Sequence, residues 1–321
     1  MPHPNDDNGA SLQAELINAL LKDKKAERLW KNLRAFSVVA LLAVYGCAAF
    51  FARNTEAEAP SADAKGAPYV ALVRITGEIG PDKDASAERL NPSLAKAFAD
   101  PLAKGVVLVV NSPGGTPVQA ALIHDRLVQL RTQHKKKAVV VAEDMLTSGA
   151  YFIAVGADKI VVNRSTIAGS VGVISHGFGF TGLMDKLGVE RRTLQAGANK
   201  NRMDPFGPVA AGDKEKMESL LGDIHRHFID SVKEGRKGKL EGDDATLFNG
   251  DFWAGDQAVR LGLADEVSDL PTVLEKDFGV KRLKDYSVPH SLWERLTKTV
   301  SAEVISSITT KASEQAMLLP R

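Results

Sequence analysis

The sequence predicts an α/β domain with a mainly parallel sheet, preceded by one N-terminal transmembrane helix. Three observations predict it: short β-branched runs that each end in a turn, helical-period segments between them, and one uncharged apolar run near the N-terminus. A short β-branched run closed by a turn is the pattern of a strand buried on both faces. Alternation of such runs with helices is the pattern of βαβ units.

The totals exclude more than they assign. A chain of 321 residues holds one large domain or two small ones. Lys and Arg total 41 against 40 for Asp and Glu, and aromatic residues make up 6%, so neither a charge field nor a stacking platform for nucleic acid is expected. The single cysteine, Cys47, excludes an internal disulfide framework and a cysteine-rich metal site. With no nucleotide-binding loop or repeat in the chain, no cofactor is expected.

Residues 1–34 form a polar tail with a basic cluster of Lys22, Lys24, Lys25, Arg28, Lys31 and Arg34. Residues 35–53 are expected to span a membrane: Ala35 to Ala52 carries no charge and no polar stripe, and Arg53 closes it. At about 1.5 Å per residue the run nearly crosses a hydrocarbon core of about 30 Å. Glu56, Glu58 and Asp63 follow it, so the basic flank stays in the cytoplasm and the large C-terminal part is exported. A cleaved secretory signal is the alternative, but its preceding segment is unusually long, which favours an uncleaved anchor. Cys47 reads as a small apolar residue inside the span, since Tyr45 stands where a lipoprotein signal has a small residue.

Residues 54–67 read as a linker of small, polar, Pro- and Gly-containing sequence. Residues 68–290 then form the α/β domain. Tyr69–Ile75, Gly105–Val110, Ala138–Ala142 and Lys159–Val162 are expected strands. Val118–Gln133 is an expected helix with Ala121, Leu122, Leu127 and Leu130 on its apolar side. Asp213–Lys233 is the clearest helix, with Met217, Leu221, Ile224, Phe228 and Val232 at helical spacing. Phe252–Leu263 reads as a shorter helix ended by Gly262, and residues 291–321 as a C-terminal helical tail.

Two segments can carry chemistry. Asn111-Ser112-Pro113-Gly114-Gly115-Thr116 follows a buried strand, and a Gly-Gly turn there exposes backbone N–H groups suited to an anion or a developing oxyanion. An ordinary strand-to-helix turn reads the same way. Thr147-Ser148-Gly149-Ala150-Tyr151 follows the next strand and opens an apolar helix, which suits a nucleophile or a simple helix cap.

Taken in order, these segments resemble the signal peptide peptidase A family of serine proteases, which have the Clp protease/crotonase-like fold. Further matches are Ala157-Asp158-Lys159-Ile160, Gly169-Ser170-Val171-Gly172-Val173, Gly197-Ala198-Asn199-Lys200 leading into Asp204-Pro205-Phe206, and Gly262-Leu263-Ala264-Asp265. The resemblance covers roughly residues 69–270. It implies Ser148 as nucleophile, Lys200 as general base, Ser170 as the hydroxyl that holds the lysine amine, and the N–H groups of Gly115 and Gly149 as the oxyanion hole. A lysine serves as base only when neutral, a state that apolar burial favours. Arg202, close by in sequence, adds to the cost of protonating Lys200 if it points inward. Ala150 stands where many members have a second glycine, a small departure.

The resemblance further implies a serine protease domain over residues 68–290 that digests hydrophobic peptides, chiefly residual signal peptides, beside the bacterial inner membrane. It implies homo-oligomers, with the dyad formed either within one copy or between copies. A Ser148–His176 pair oriented by Asp158 or Asp185 is the rival triad. His225 and His227 lie on the long helix without a third metal ligand at useful spacing. A silent peptide-binding scaffold and an acyl-thioester enzyme of the crotonase kind are the alternatives from other classes.

Overall fold

The computed structural model describes residues 66–288, together with Trp30, Arg34, Phe36 and Ser37. The chain divides into two compact units, Met1–Gly66 and Ala67–Arg321. The expected basic tail, membrane span and linker, and the tail over 291–321, lie outside the described residues. Among the described residues no helix is long and apolar enough to cross a membrane.

In chain order the second unit contains β1 (Tyr69–Thr76), α1 (Ala87–Ala99), β2 (Ala103–Ser112), α2 (Pro117–His134), β3 (Lys137–Thr147), α3 (Gly149–Ala154), β4 (Lys159–Val162) and β5 (Ile167–Gly169). There follow α4 (Thr181–Leu187), α5 (Ala211–Gly235), α6 (Asp244–Leu247), β6 (Phe252–Ala254), α7 (Gly255–Arg260), β7 (Glu266–Val267), α8 (Leu270–Val273) with a π-helical turn over Leu274–Phe278, and β8 (Leu283–Asp285). The strands form one sheet of order β6-β5-β3-β2-β1-β8, with β4 branching from β3 and carrying β7. Every pairing is parallel except β5 with β6. The expected α/β class with a mainly parallel sheet is therefore what the chain forms.

Alternation along the strands explains why both faces are apolar. Val73, Ile75, Leu108, Val110 and Val140 enter the larger core beneath α1, α2 and α3. Their neighbours Leu72, Val107, Val109, Val139 and Val141 face Val273, Leu274 and Phe278 on the other side. A parallel sheet covered on both faces reads as continuous hydrophobic runs, as these strands do.

β3 is the element that places the site. Its first half pairs with β4 through Val139–Val141, and its second half pairs with β5 through Met145–Thr147. Between them the β2–β3 register slips, Val110 facing Ala142 but Ser112 facing Leu146. Asn111 spans the irregularity, its Nδ2 donating to Asp144 at 2.9 Å and its Oδ1 accepting from Met145 N at 3.2 Å. The sheet forks here, and the fork carries the end of β3 clear of β4.

Three details differ from the sequence expectations. α2 buries Leu127 and Leu130 as expected and half-buries Ala121, but Leu122 is 48% exposed, and Ala120 and Ile123 complete the inward face instead. Phe252–Ala254 is a strand rather than a helical turn, because Trp253 covers Gly169 of β5 and Gly255 fits against the carbonyl of Asn163 with no room for a Cβ. α5 runs longer than expected at both ends, yet buries only Phe228 and Val232. Its first three turns leave Leu220 44% exposed.

Arg236, at the end of α5, is 2% exposed and locks the C-terminal part of the sheet. Its Nε donates to the Gly262 carbonyl at 2.8 Å and its Nη1 to Asp265 Oδ2 at 2.7 Å. Asp265 also accepts from Ile160 N and Lys239 Nζ, each at 2.7 Å. Burial pushes the Asp265 carboxyl up, but the bonds from Arg236, Lys239 and Ile160 outweigh it and hold it below the usual range. Arg236→Leu removes one of the two cations on Asp265 and leaves the buried Gly262 carbonyl without its donor, and is expected to cost about 1–3 kcal/mol. Because the folded pKa is depressed, Asp265 stabilises the fold above its unfolded value of about 3.9 and loses that contribution as pH falls below it. Thermal melts of Asp265→Asn and the parent protein should therefore differ most at neutral pH and converge in acid.

Candidate active site

Ser148 sits between the end of β3 and the start of α3 with φ 52° and ψ −123°. A non-glycine residue there costs on the order of 1–3 kcal/mol and persists only where its surroundings impose it. Here the Ser148 N–H donates to the Gly169 carbonyl at 2.8 Å, and its own carbonyl accepts from Phe152 N at 2.9 Å. α3 is buried throughout. Its Tyr151 donates a hydrogen bond to the Leu263 carbonyl at 2.8 Å. Burial pushes the Tyr151 phenol up, so it remains a neutral donor that anchors the helix.

The Gly-Gly turn is pressed against this corner. Ile79 N donates to Gly114 O at 2.8 Å and Thr116 N donates to Ile79 O at 2.9 Å, so Ile79 clasps the turn. The buried Ser112 hydroxyl accepts from Gly114 N at 3.1 Å. A Cβ on Gly115 would lie 1.9 Å from the Ile79 carbonyl oxygen. A Cβ on Gly114, whose φ is +97°, would lie 2.7 Å from Gly149 N and 2.8 Å from Ser148 Cβ. Only glycine fits at either position. In turn, Gly115 N lies 3.2 Å from where a Cβ on Gly149 would stand. The amides of Gly115 and Gly149 thus flank Ser148, and neither donates to any acceptor among the described residues.

Ser148 and Gly149 open onto a cleft of about 90 Å³ whose walls come from Pro117 and Ala120 of α2, Phe152 of α3, Gly172–Ile174, and Ile224, His227 and Phe228 of α5. Phe152 packs against Phe228 at 5.0 Å and against His227 at 5.8 Å between ring centroids. Ser170 directly follows Gly169 with φ 54°, and its N–H donates to Asp251 O at 2.7 Å. Ser148, Gly115, Gly149 and Ser170 are therefore gathered around one corner. Lys200 is not: it lies exposed in the turn after Gly197, and it is absent from the walls of the cleft.

The segment that carries Lys200 is open along most of its length. Ile174 is 82% exposed, Phe178 79% and Leu194 101%. Within it, Phe180 stacks on Phe206 at 5.3 Å, and Arg191 lies over Phe206 and bonds to Asp204 at 2.8 Å. Arg202 forms an ion pair with Asp213 at 3.1 Å, so it turns toward α5. His176 is exposed and does not line the cleft. Asp158 accepts from Arg131 and from Ala138 N at the opposite end of β3 from Ser148, too far to orient a partner of that serine. His227, which the sequence places on the long helix without a role, lines the cleft with Ile224 and Phe228, a spacing of one helix face that the sequence does show. Among the described residues no cluster of side chains fits a metal ion.

A strand, a strained serine, a helix and a clasped glycine turn define a class of α/β domain that presents a hydroxyl beside two unpaired amides. Residues 131–281 match the model of peptidase family S49. Over 177 residues the chain is 34% identical to a putative protease of Methanocaldococcus jannaschii, covering 55% of this chain and 56% of that protein. It is 31% identical over 198 residues to a putative signal peptide peptidase SppA of Enterococcus faecium, covering 61% and 56%. A protein of Brucella abortus named Na(+)/H(+) antiporter NhaA is 49% identical over 188 residues, which are 59% of this chain but 25% of that protein. The chain thus spans between a quarter and about half of the length of these relatives. These matches support the resemblance to the signal peptide peptidase A-like family, carried by the S49 model over residues 131–281 and by relatives named as proteases.

Proposed function

We propose that the chain is a serine endopeptidase of the Clp protease/crotonase-like fold that cleaves hydrophobic peptides, most of all residual signal peptides, beside a membrane. The observation that carries this reading is the strained Ser148 flanked by the free N–H groups of Gly115 and Gly149. Ser148 Oγ attacks the peptide carbonyl carbon while the neutral amine of Lys200 takes the hydroxyl proton. The two amides receive the oxyanion, which is the moment at which preorganised donors lower the barrier. Collapse returns that proton to the leaving amine and leaves an acyl group on Ser148. A water deprotonated by Lys200 then releases it. Ser170 holds the lysine amine between the two steps.

Lys200 stands on an exposed segment rich in exposed apolar side chains, which supports a dyad assembled between copies of the chain. Covering that segment would remove the amine from water, the condition under which a lysine acts as a base. The catalytic domain lies on the exported side of the bacterial inner membrane, anchored by the run over 35–53, and the copies form a homo-oligomer.

One observation favours a second reading, in which His227 takes the proton: it lines the Ser148 cleft within one copy.

Two experiments bear on the site. A serine-directed phosphonate applied to the full chain in detergent should attach to the tryptic peptide that carries Ser148; attachment elsewhere would refute the nucleophile assignment. Gly114→Ala should cut kcat by about 100-fold, the scale of a lost oxyanion donor, by displacing Gly149 N and Ser148 Cβ. Unchanged turnover in that variant would mean that the clasped turn does not serve the reaction.

A further inference from the structure

The wall of the cleft formed by Gly172–Ile174 has few attachments. It leaves β5 through Gly169 and Ser170, both at positive φ, and then runs without regular structure into the exposed segment. Ser170 N is held by Asp251 O, and Gly172 N turns back to Ser170 O at 3.0 Å. The backbone groups of Val173 and Ile174 bond to nothing among the described residues. Such an unpaired stretch of main chain beside a nucleophile suits the main chain of a bound peptide, which can add to it as a strand.

One side chain pins this wall. His225 of α5 approaches the Val171 carbonyl with Nε2 at 3.0 Å, and carbonyl oxygen accepts only, so the ring donates. Val171 is fully buried, so the bond acts on a residue already fixed by packing and sets the direction in which the chain leaves it. His225 lies one turn before Phe228, where the open part of α5 meets its buried part. It therefore ties the emerging wall to the last firmly packed turn of the helix.

We propose that His225 is a positioning residue for extended peptide substrates: its bond to Val171 holds Gly172–Ile174 at the spacing from Ser148 that a peptide backbone needs. The proposal rests on Ser148 as the nucleophile. It distinguishes binding of a peptide strand from reactivity of the serine, because His225 does not line the Ser148 cleft and its bond goes to Val171 rather than to Ser148 or the Gly114–Gly115 turn.

The test compares two reactions of the full chain in detergent. One is hydrolysis of an extended hydrophobic peptide; the other is labelling of Ser148 by a small phosphonate that does not reach the wall. His225→Leu keeps the bulk and removes the donor, and it should lower peptide kcat/KM by about tenfold, largely through KM, with labelling within about twofold of the parent. His225→Gln, whose amide can donate, should recover most of the peptide turnover. Equal behaviour of the Leu and Gln variants, or a parallel fall in both reactions, would overturn the positioning role in favour of simple packing. If the parent protein itself takes no label at Ser148, the nucleophile assignment fails and this proposal with it.

Discussion

Ser148→Ala is expected to lower peptide hydrolysis by at least about 10⁴-fold, because it removes the hydroxyl that sits between the two free amides and forms the acyl intermediate. Its effect on stability should be small, since alanine at φ 52° and ψ −123° meets the same steric conflict as serine. Ser148→Gly is the more informative companion. Glycine adopts that conformation without the conflict, so the variant should be equally inactive yet more stable by about 1 kcal/mol, after allowing for the greater freedom of unfolded glycine. Chemical denaturation of the three proteins measures this directly. A Gly variant less stable than Ala would mean that the serine conformation carries no stored strain.

The second large effect concerns Lys200. Lys200→Ala is expected to reduce turnover by about 10³-fold or more while leaving melting unchanged, because the side chain is exposed and has no hydrogen-bond partner in the described residues. The exposure also separates two arrangements of the dyad. If Lys200 serves the Ser148 of a neighbouring copy, mixed assemblies of Ser148→Ala and Lys200→Ala chains contain intact pairs. Equal, random mixing in a ring of heterologous contacts then restores about a quarter of the parent activity. A dyad within one copy gives no restoration at all. Activity assays on co-refolded or co-expressed mixtures decide between them.

The parts of the fold that were legible in the sequence are those where one physical pattern dominates. The runs over Gly105–Val110 and Ala138–Ala142 are buried on both faces and so read as strands without ambiguity. α1 was not legible: Asn91-Pro92 sits in its middle and reads as a break, although Leu90, Leu94, Ala97 and Phe98 are its buried face. β5, three residues long, carries no periodic signal, and its existence depends on pairing with the far end of β3. At the site, the glycines and Ser148 were legible because their backbone demands are local. His225 and His227 were not, since their roles depend on how α5 lies across the cleft. The apolar face of α5 was readable, but how little of it a single copy buries was not.

The most direct test of the central claim is the rate of hydrophobic peptide hydrolysis by the full chain beside Lys200→Ala, His176→Ala and His227→Gln. A Ser148–Lys200 dyad predicts that turnover is lost in the first and survives in both histidine variants, with His227→Gln altering substrate preference through the cleft wall. Turnover that persists in Lys200→Ala and vanishes in either histidine variant would contradict it and assign the base to that histidine.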